Sequence, residues 1–160
     1  MLNITNEGKK AALDMRLIDE MYDDIATSKV NKAVENIFKI YQDSADFKGT
    51  QLVFCDMSTP TKISGKYDVY NDIRNKLIEK GVKPDEIEFI HNADTDSKKA
   101  NLFKNVRTGN VRILIGSTSK MGAGTNVQDK LVALHHIDVP WRPSDVEQRE
   151  RKNIKTGKYK

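Results

Sequence analysis

The chain has one cysteine, Cys55. A lone thiol excludes an internal disulfide and fits a reducing compartment. No stretch approaches the roughly 18–20 consecutive apolar residues that a membrane helix needs, so no membrane partner is expected. Met1–Lys10 has no apolar run of the kind that forms a signal-peptide core, and the expected location is cytoplasmic. There is no internal repeat and no low-complexity segment. His135 and His136 are adjacent on an expected strand, so they point to opposite faces and cannot share one ion. No metal site is expected.

What is present is a chain of 160 residues, 38% apolar and 31% charged, enough for one globular domain with a core. The net charge is +4. That suits a phosphate-bearing partner, though many cytosolic domains reach it without one. The excess gathers at the end, where Arg149, Arg151, Lys152, Lys155, Lys158 and Lys160 face only Glu150. This run reads either as a phosphate-facing segment or as a solvated tail.

Hydrophobic spacing divides the chain in two. Ala11–Tyr22 is an irregular helix candidate. After Ser28, a suitable N-cap, apolar residues recur at Val30, Ala33, Val34, Ile37, Phe38 and Tyr41, one face of a helix. From Gln51 the pattern alternates. Strands are expected at Gln51–Cys55, Ile87–Ile90, Val111–Ile115 and Leu131–Ile137. Helices are expected at Tyr67–Lys80, stopped by Gly81, and at Ser97–Arg107, with Ala100, Phe103 and Val106 inward and Gly109 after it. Ser144-Asp145-Val146-Glu147 is a capping box opening a last helix. Strands alternating with helices imply βαβ units and a parallel sheet covered on both faces. Ligands of such sheets bind at the carboxyl ends of the strands. The segments to inspect are therefore Asp56–Thr61, His91–Asp96, Gly116–Asn126 and Asp138–Arg142, all rich in polar or small residues.

Gly116–Gln128 is the most informative of these. It follows a buried strand and offers Ser117, Thr118 and Ser119 hydroxyls, Lys120, and the close glycines Gly122 and Gly124. Such a segment either cradles phosphate oxygens or makes a tight strand-to-helix turn that needs small residues. It is not a Walker A loop, because no Gly-Lys-Ser/Thr follows. Among the weaker candidates, His91 reads as a loop histidine, and Asp94 and Asp96 as paired acids or helix caps. Cys55 reads as a core thiol. Trp141 reads as a base-stacking ring or a wedge against the sheet.

The segment resembles motif V of superfamily-2 helicases, a strand, Ser-Thr, then Gly-x-Gly-x-Asn. Gln51–Thr59 resembles motif IV. Val139-Pro-Trp-Arg-Pro143 resembles the Asp-x-x-Trp-Asn-Pro stretch of Swi/Snf-type translocases, and Gln148-Arg-Glu opens a segment similar to motif VI, Gln-x-x-Gly-Arg-x-x-Arg. Together they span about two-thirds of the chain, in order. The whole also resembles the helicase-like proteins of phages and mobile elements, which often carry an adenine-methylase domain. The resemblance implies a RecA-like α/β/α sandwich at 49–160, with an N-terminal helical extension at 1–48. It implies the second, C-terminal lobe of an ATP-dependent translocase on DNA, with RNA as the alternative. The partner would be the N-terminal RecA-like lobe of the same native protein, and ATP and Mg2+ would be held only with that lobe.

Residue by residue, the resemblance gives nucleic-acid contacts to Ser58, Thr59, His91, Ser117, Thr118, Ser119 and Lys120. It gives the ATP cleft to Gly122, Gly124, Thr125, Asn126, Gln148 and Arg149. The arginine fingers fall at Arg151, Lys152 and Lys155. Here the sequence departs from the pattern: Arg151 stands at the glycine, and Lys152 and Lys155 stand at the two arginines. Lysine keeps the charge and loses the bidentate fork. Two other readings remain open. One is a non-catalytic lobe that binds nucleic acid or protein with a degenerate motif VI. The other is a stand-alone phosphate-binding enzyme, which would have only Asp56, Asp94, Asp96 and Asp138 as strand-end acids.

Overall fold

The computed structural model describes Lys10 and residues 13–60, 62–63, 65–121 and 127–138. Four short apolar runs form a parallel sheet: β1 Thr50–Phe54, β2 Ile87–Phe89, β3 Ile113–Gly116 and β4 Leu131–His136. Their order across the sheet is β2-β3-β1-β4. β1 is central, with Leu52 beside Leu114 of β3 and Leu134 of β4. All five β1 residues are buried. This is why the run reads as continuous rather than alternating, as strands covered on both faces do.

Parallel strands need crossovers, and helices supply them. The helices are α1 Lys29–Asp43, α2 Val69–Lys80, α3 Asp96–Thr108 and the single turn α4 Thr118–Met121. On one face, Val30, Val34 and Ile37 of α1 and Tyr70, Ile73 and Leu77 of α2 pack on Val53, Ile113 and Ile115. On the other, Leu102 and Val106 of α3 and Met121 of α4 pack on Leu52, Phe54 and Leu114. The result is a three-layer α/β/α sandwich with an all-parallel sheet. Each fully buried Leu, Ile or Val contributes roughly 1.5–3 kcal/mol, so both layers are needed. The N-terminal helix α1 belongs to one of them, since it shares the sheet's core.

Helix ends follow the local chemistry read from the sequence. Ser28 caps α1, its hydroxyl accepting the Asn31 N–H. Gly81 and Gly109 end α2 and α3 at φ 119° and 83°, a region that favours glycine. Two expectations are corrected. Leu13 is α-helical, but in place of a helix through Tyr22, residues 14–22 carry only a one-turn 3-10 helix at Met15–Leu17. The Asp14 carboxylate takes both the Arg16 N–H and its guanidinium, which ties the turn to an ion-pair cluster. The buried stripe of α3 runs through Leu102 and Val106, with Ala100 exposed. The larger leucine takes the sheet-facing position. Val139–Arg142, Trp141 and the Ser144 capping box lie outside the described residues.

The opposite edge of the sheet is closed by a buried cation. The Arg112 guanidinium donates to the carbonyls of Gly49 (3.1 Å) and Tyr41 (2.7 Å) and lies 4.0 Å over the Tyr41 ring. It anchors the end of α1 beneath β1 and β3, away from the strands' carboxyl ends.

Candidate functional site

The strand order creates a crevice. β1 leads into α2 on one face, and β3 leads into α4 on the other, although the two strands are neighbours. Adjacent strands whose connections leave in opposite directions part at their carboxyl ends, and ligands of open α/β sheets sit at that switch point. A cleft of about 550 Å³ lies there, lined by Asp56, Thr59, His91, Ser117, Thr118, Ser119 and Lys120. Asp56 and Thr59 follow β1, His91 follows β2, and Ser117–Lys120 follow β3.

Two carboxylates brace these loops. Asp138, just past β4 and buried, accepts the backbone N–H groups of Asp56 (2.7 Å) and Met57 (2.6 Å) on one oxygen. Asp56 in turn accepts the Thr118 N–H and the Thr118 hydroxyl, each at 2.7 Å, on its two oxygens. The ends of β4, β1 and β3 are thus linked in series. Ser58 turns away from the cleft: it is buried, and its hydroxyl accepts the Val69 N–H at the start of α2. Tyr70 donates to the Cys55 carbonyl at 2.6 Å. Cys55 is buried, and burial first, then Asp138, pushes its thiol well above the ordinary range, so it is an inert core group.

The described lining of the cleft offers one lysine, hydroxyls and an imidazole. Lys120 forms no ion pair among the described residues. The Ser117 and Ser119 hydroxyls lie 3.2 Å apart, so at least one can redirect its proton. His91 packs edge-on against Tyr70, with ring centroids 5.3 Å apart. Its Nδ1 is buried with no partner, which leaves the ring proton on Nε2, because a buried, unmet N–H costs more than an unmet lone pair. Burial and then the nearby Lys120 lower its pKa, so at neutral pH it is an uncharged donor. Among the described residues lining the cleft, the one opposing charge is Asp56. Gly116 closes the back: a Cβ there would come within 2.5 Å of Ile90 and 2.6 Å of Met121, so only glycine lets α4 fold in beneath the cleft.

Six of the seven residues expected to touch nucleic acid therefore line one cleft, and Ser58 lies behind it. The positions assigned to the ATP cleft and fingers, Gly122, Gly124, Thr125, Asn126, Gln148, Arg149, Arg151, Lys152 and Lys155, lie outside the described residues. Asp94 is exposed and pairs with Lys98 at 2.8 Å, and Thr95 caps α3. His135 and His136 do face opposite ways: His135 meets Gln51 at 2.7 Å and His136 stacks on Phe54. Sequence reasoning passed over Asp56 and Asp138 as builders of the site. Their position directly after β1 and β4 was the available signal. No family model matches the chain, and no curated protein matches it. Among the described residues, no helix is long and apolar enough to cross a membrane.

Proposed function

We propose that this chain is the second RecA-like lobe of an ATP-driven DNA translocase, holding the phosphate backbone in the strand-end cleft. The observation that supports this is the convergence of Lys120, the Ser117 and Ser119 hydroxyls, Thr59 and the neutral His91 donor on one crevice at the switch point. Hydroxyls and one cation grip phosphate without reading bases, as a motor moving along any sequence requires. Nearly all of the positive charge there is one lysine, so the grip is weak and salt-sensitive.

ATP and Mg2+ belong with the partner lobe. Among the described residues no three acids, histidines or cysteines are grouped to hold a metal. Asp56 already directs both carboxylate oxygens to Thr118. The sequence carries no Walker A lysine and no acidic box to hold magnesium, so the chain alone is expected to hydrolyse no ATP, with or without DNA. DNA-stimulated turnover by the pure chain would overturn the half-motor reading.

A second reading rests on Lys152 and Lys155 standing where forked arginines are expected: a lobe that binds nucleic acid or protein but is uncoupled from ATP. Joining the chain to its ATP-holding lobe separates the two. A variant with Arg151→Gly, Lys152→Arg and Lys155→Arg should turn over ATP about 10³-fold faster than the chain as it stands if the fingers are degenerate. Equal rates place the finger elsewhere.

A further inference from the structure

Residues 18–27 are all exposed, and they carry large apolar side chains outward: Ile18 at 44%, Met21 at 89%, Tyr22 at 47% and Ile25 at 53% exposure. These four fall at i, i+3, i+4 and i+7. Asp19, Glu20, Asp23 and Asp24 fill the gaps. Wound as a helix, the segment would gather its apolar residues in an arc of roughly 100°, with Asp19 and Asp24 flanking it and Glu20 and Asp23 opposite. It is not wound: no helix intervenes between the turn at Met15–Leu17 and α1. Its acids hold it to the body instead. Glu20 accepts the Tyr67 N–H at 2.8 Å. Asp24 pairs with Lys76 (2.7 Å) and Arg16 (3.0 Å) and accepts the Asn31 amide at 2.6 Å. Glu20 and Asp24 are four residues apart, so they would share one face of a helix and could keep that attachment as the segment winds.

We propose that Ile18–Ile25 is a docking segment that folds into a short helix against a second protein, whose complementary element is an amphipathic helix flanked by lysine or arginine. Charge chooses this occupant. The exposed acids repel nucleic acid and anionic membrane. In a second copy of this chain the same patch would set acids against acids. A basic amphipathic helix satisfies both halves of the pattern, with apolar residues filling the stripe and cations meeting the flanking acids. The surface is separate from the strand-end cleft and does not depend on its function.

The test uses the full chain and a labelled synthetic peptide with leucine at i, i+3, i+4 and i+7 and lysine between. Its controls are a twin with glutamate for lysine and a scrambled lysine peptide. Fluorescence anisotropy should give saturable binding of the first peptide only, with a gain of helical circular dichroism beyond the sum of the parts. Met21→Asp with Ile25→Asp, both at exposed positions, should weaken binding by about tenfold or more, as removal of central apolar anchors does. Met21→Asp alone should weaken it less, and Lys120→Ala should leave it unchanged. The proposal is overturned by absent saturation, by equal binding of the double variant, or by equal binding of the acidic or scrambled peptide. Self-association of the peptide-free chain that the double variant abolishes also overturns it, because the face then belongs to a second copy.

Discussion

Replacing Asp138 with alanine should loosen the whole strand-end cleft. One Asp138 oxygen accepts two backbone N–H groups, from Asp56 and Met57, at 2.7 and 2.6 Å. Hydrogen bonds to a charged acceptor contribute about 1.5–3 kcal/mol each. Two that share one oxygen fall short of twice that value, and alanine strands both amides in a partly buried loop. The expected loss is about 3–4 kcal/mol, against the total of roughly 5–15 kcal/mol typical of a domain. The variant should still fold. Asp138→Asn keeps a carbonyl acceptor without the charge and should lose about half as much. Urea unfolding followed by circular dichroism measures both, with an unchanged slope as the sign that only stability moved. Hydrogen exchange at the Asp56 and Met57 amides should accelerate in the alanine variant before other β1 amides do. A loss under about 1 kcal/mol for Asp138→Ala, with those amides still protected, would refute the bracing argument.

Three further outcomes follow from the same geometry. Burial, then neighbouring His136, holds the His135 imidazole down to about 4 from an ordinary 6.5. The unfolded chain therefore takes up the proton first, so stability is full above pH 6.5 and falls as pH drops toward 4, by at most about 3 kcal/mol; His135→Gln should flatten that slope in urea melts at pH 7 and 4.5, and an unchanged slope refutes the assignment. Arg16 bonds Asp14 (2.8 Å), Asp24 and Asp72 (both 3.0 Å). Arg16→Leu strands the nearly buried Asp14 carboxylate, while Asp72 keeps Lys76 and the Tyr67 hydroxyl, and should cost about 3 kcal/mol, so a thermal midpoint equal to wild type would contradict that role. Asp56→Asn removes the cleft's negative charge and should tighten DNA binding about two- to fivefold at low salt; weaker binding would mean that the Thr118 contact matters more than the charge.

Much of this fold was legible because its signals are local. Ser28, Gly81 and Gly109 mark helix ends through their own side chains or their lack of one. Buried strands such as Thr50–Phe54 announce themselves as apolar runs between turns. The cleft was legible one step further, since a parallel sheet puts every strand-end loop at one edge. What sequence could not give depends on distant partners. Asp138 meets Met57, 81 residues away, and Asp56 meets Thr118, 62 residues away. Ser58 looked like a cleft residue because it follows β1, but the loop's path turns its hydroxyl back onto α2. Ala11–Tyr22 reads as an irregular helix from its apolar spacing. The ion pairs of Arg16 with Asp14 and with the distant Asp72 hold residues 14–17 in another shape.

The most direct measurement titrates a short DNA duplex against the chain and its Lys120→Ala variant across a salt series. If the cleft holds the phosphate backbone, the wild-type chain binds weakly at low salt, and log affinity falls with log salt at a slope of about one to two phosphates. Lys120→Ala should lower affinity about five- to tenfold and flatten that slope by about one. No binding at low salt, or a Lys120→Ala curve that overlays wild type, contradicts the account.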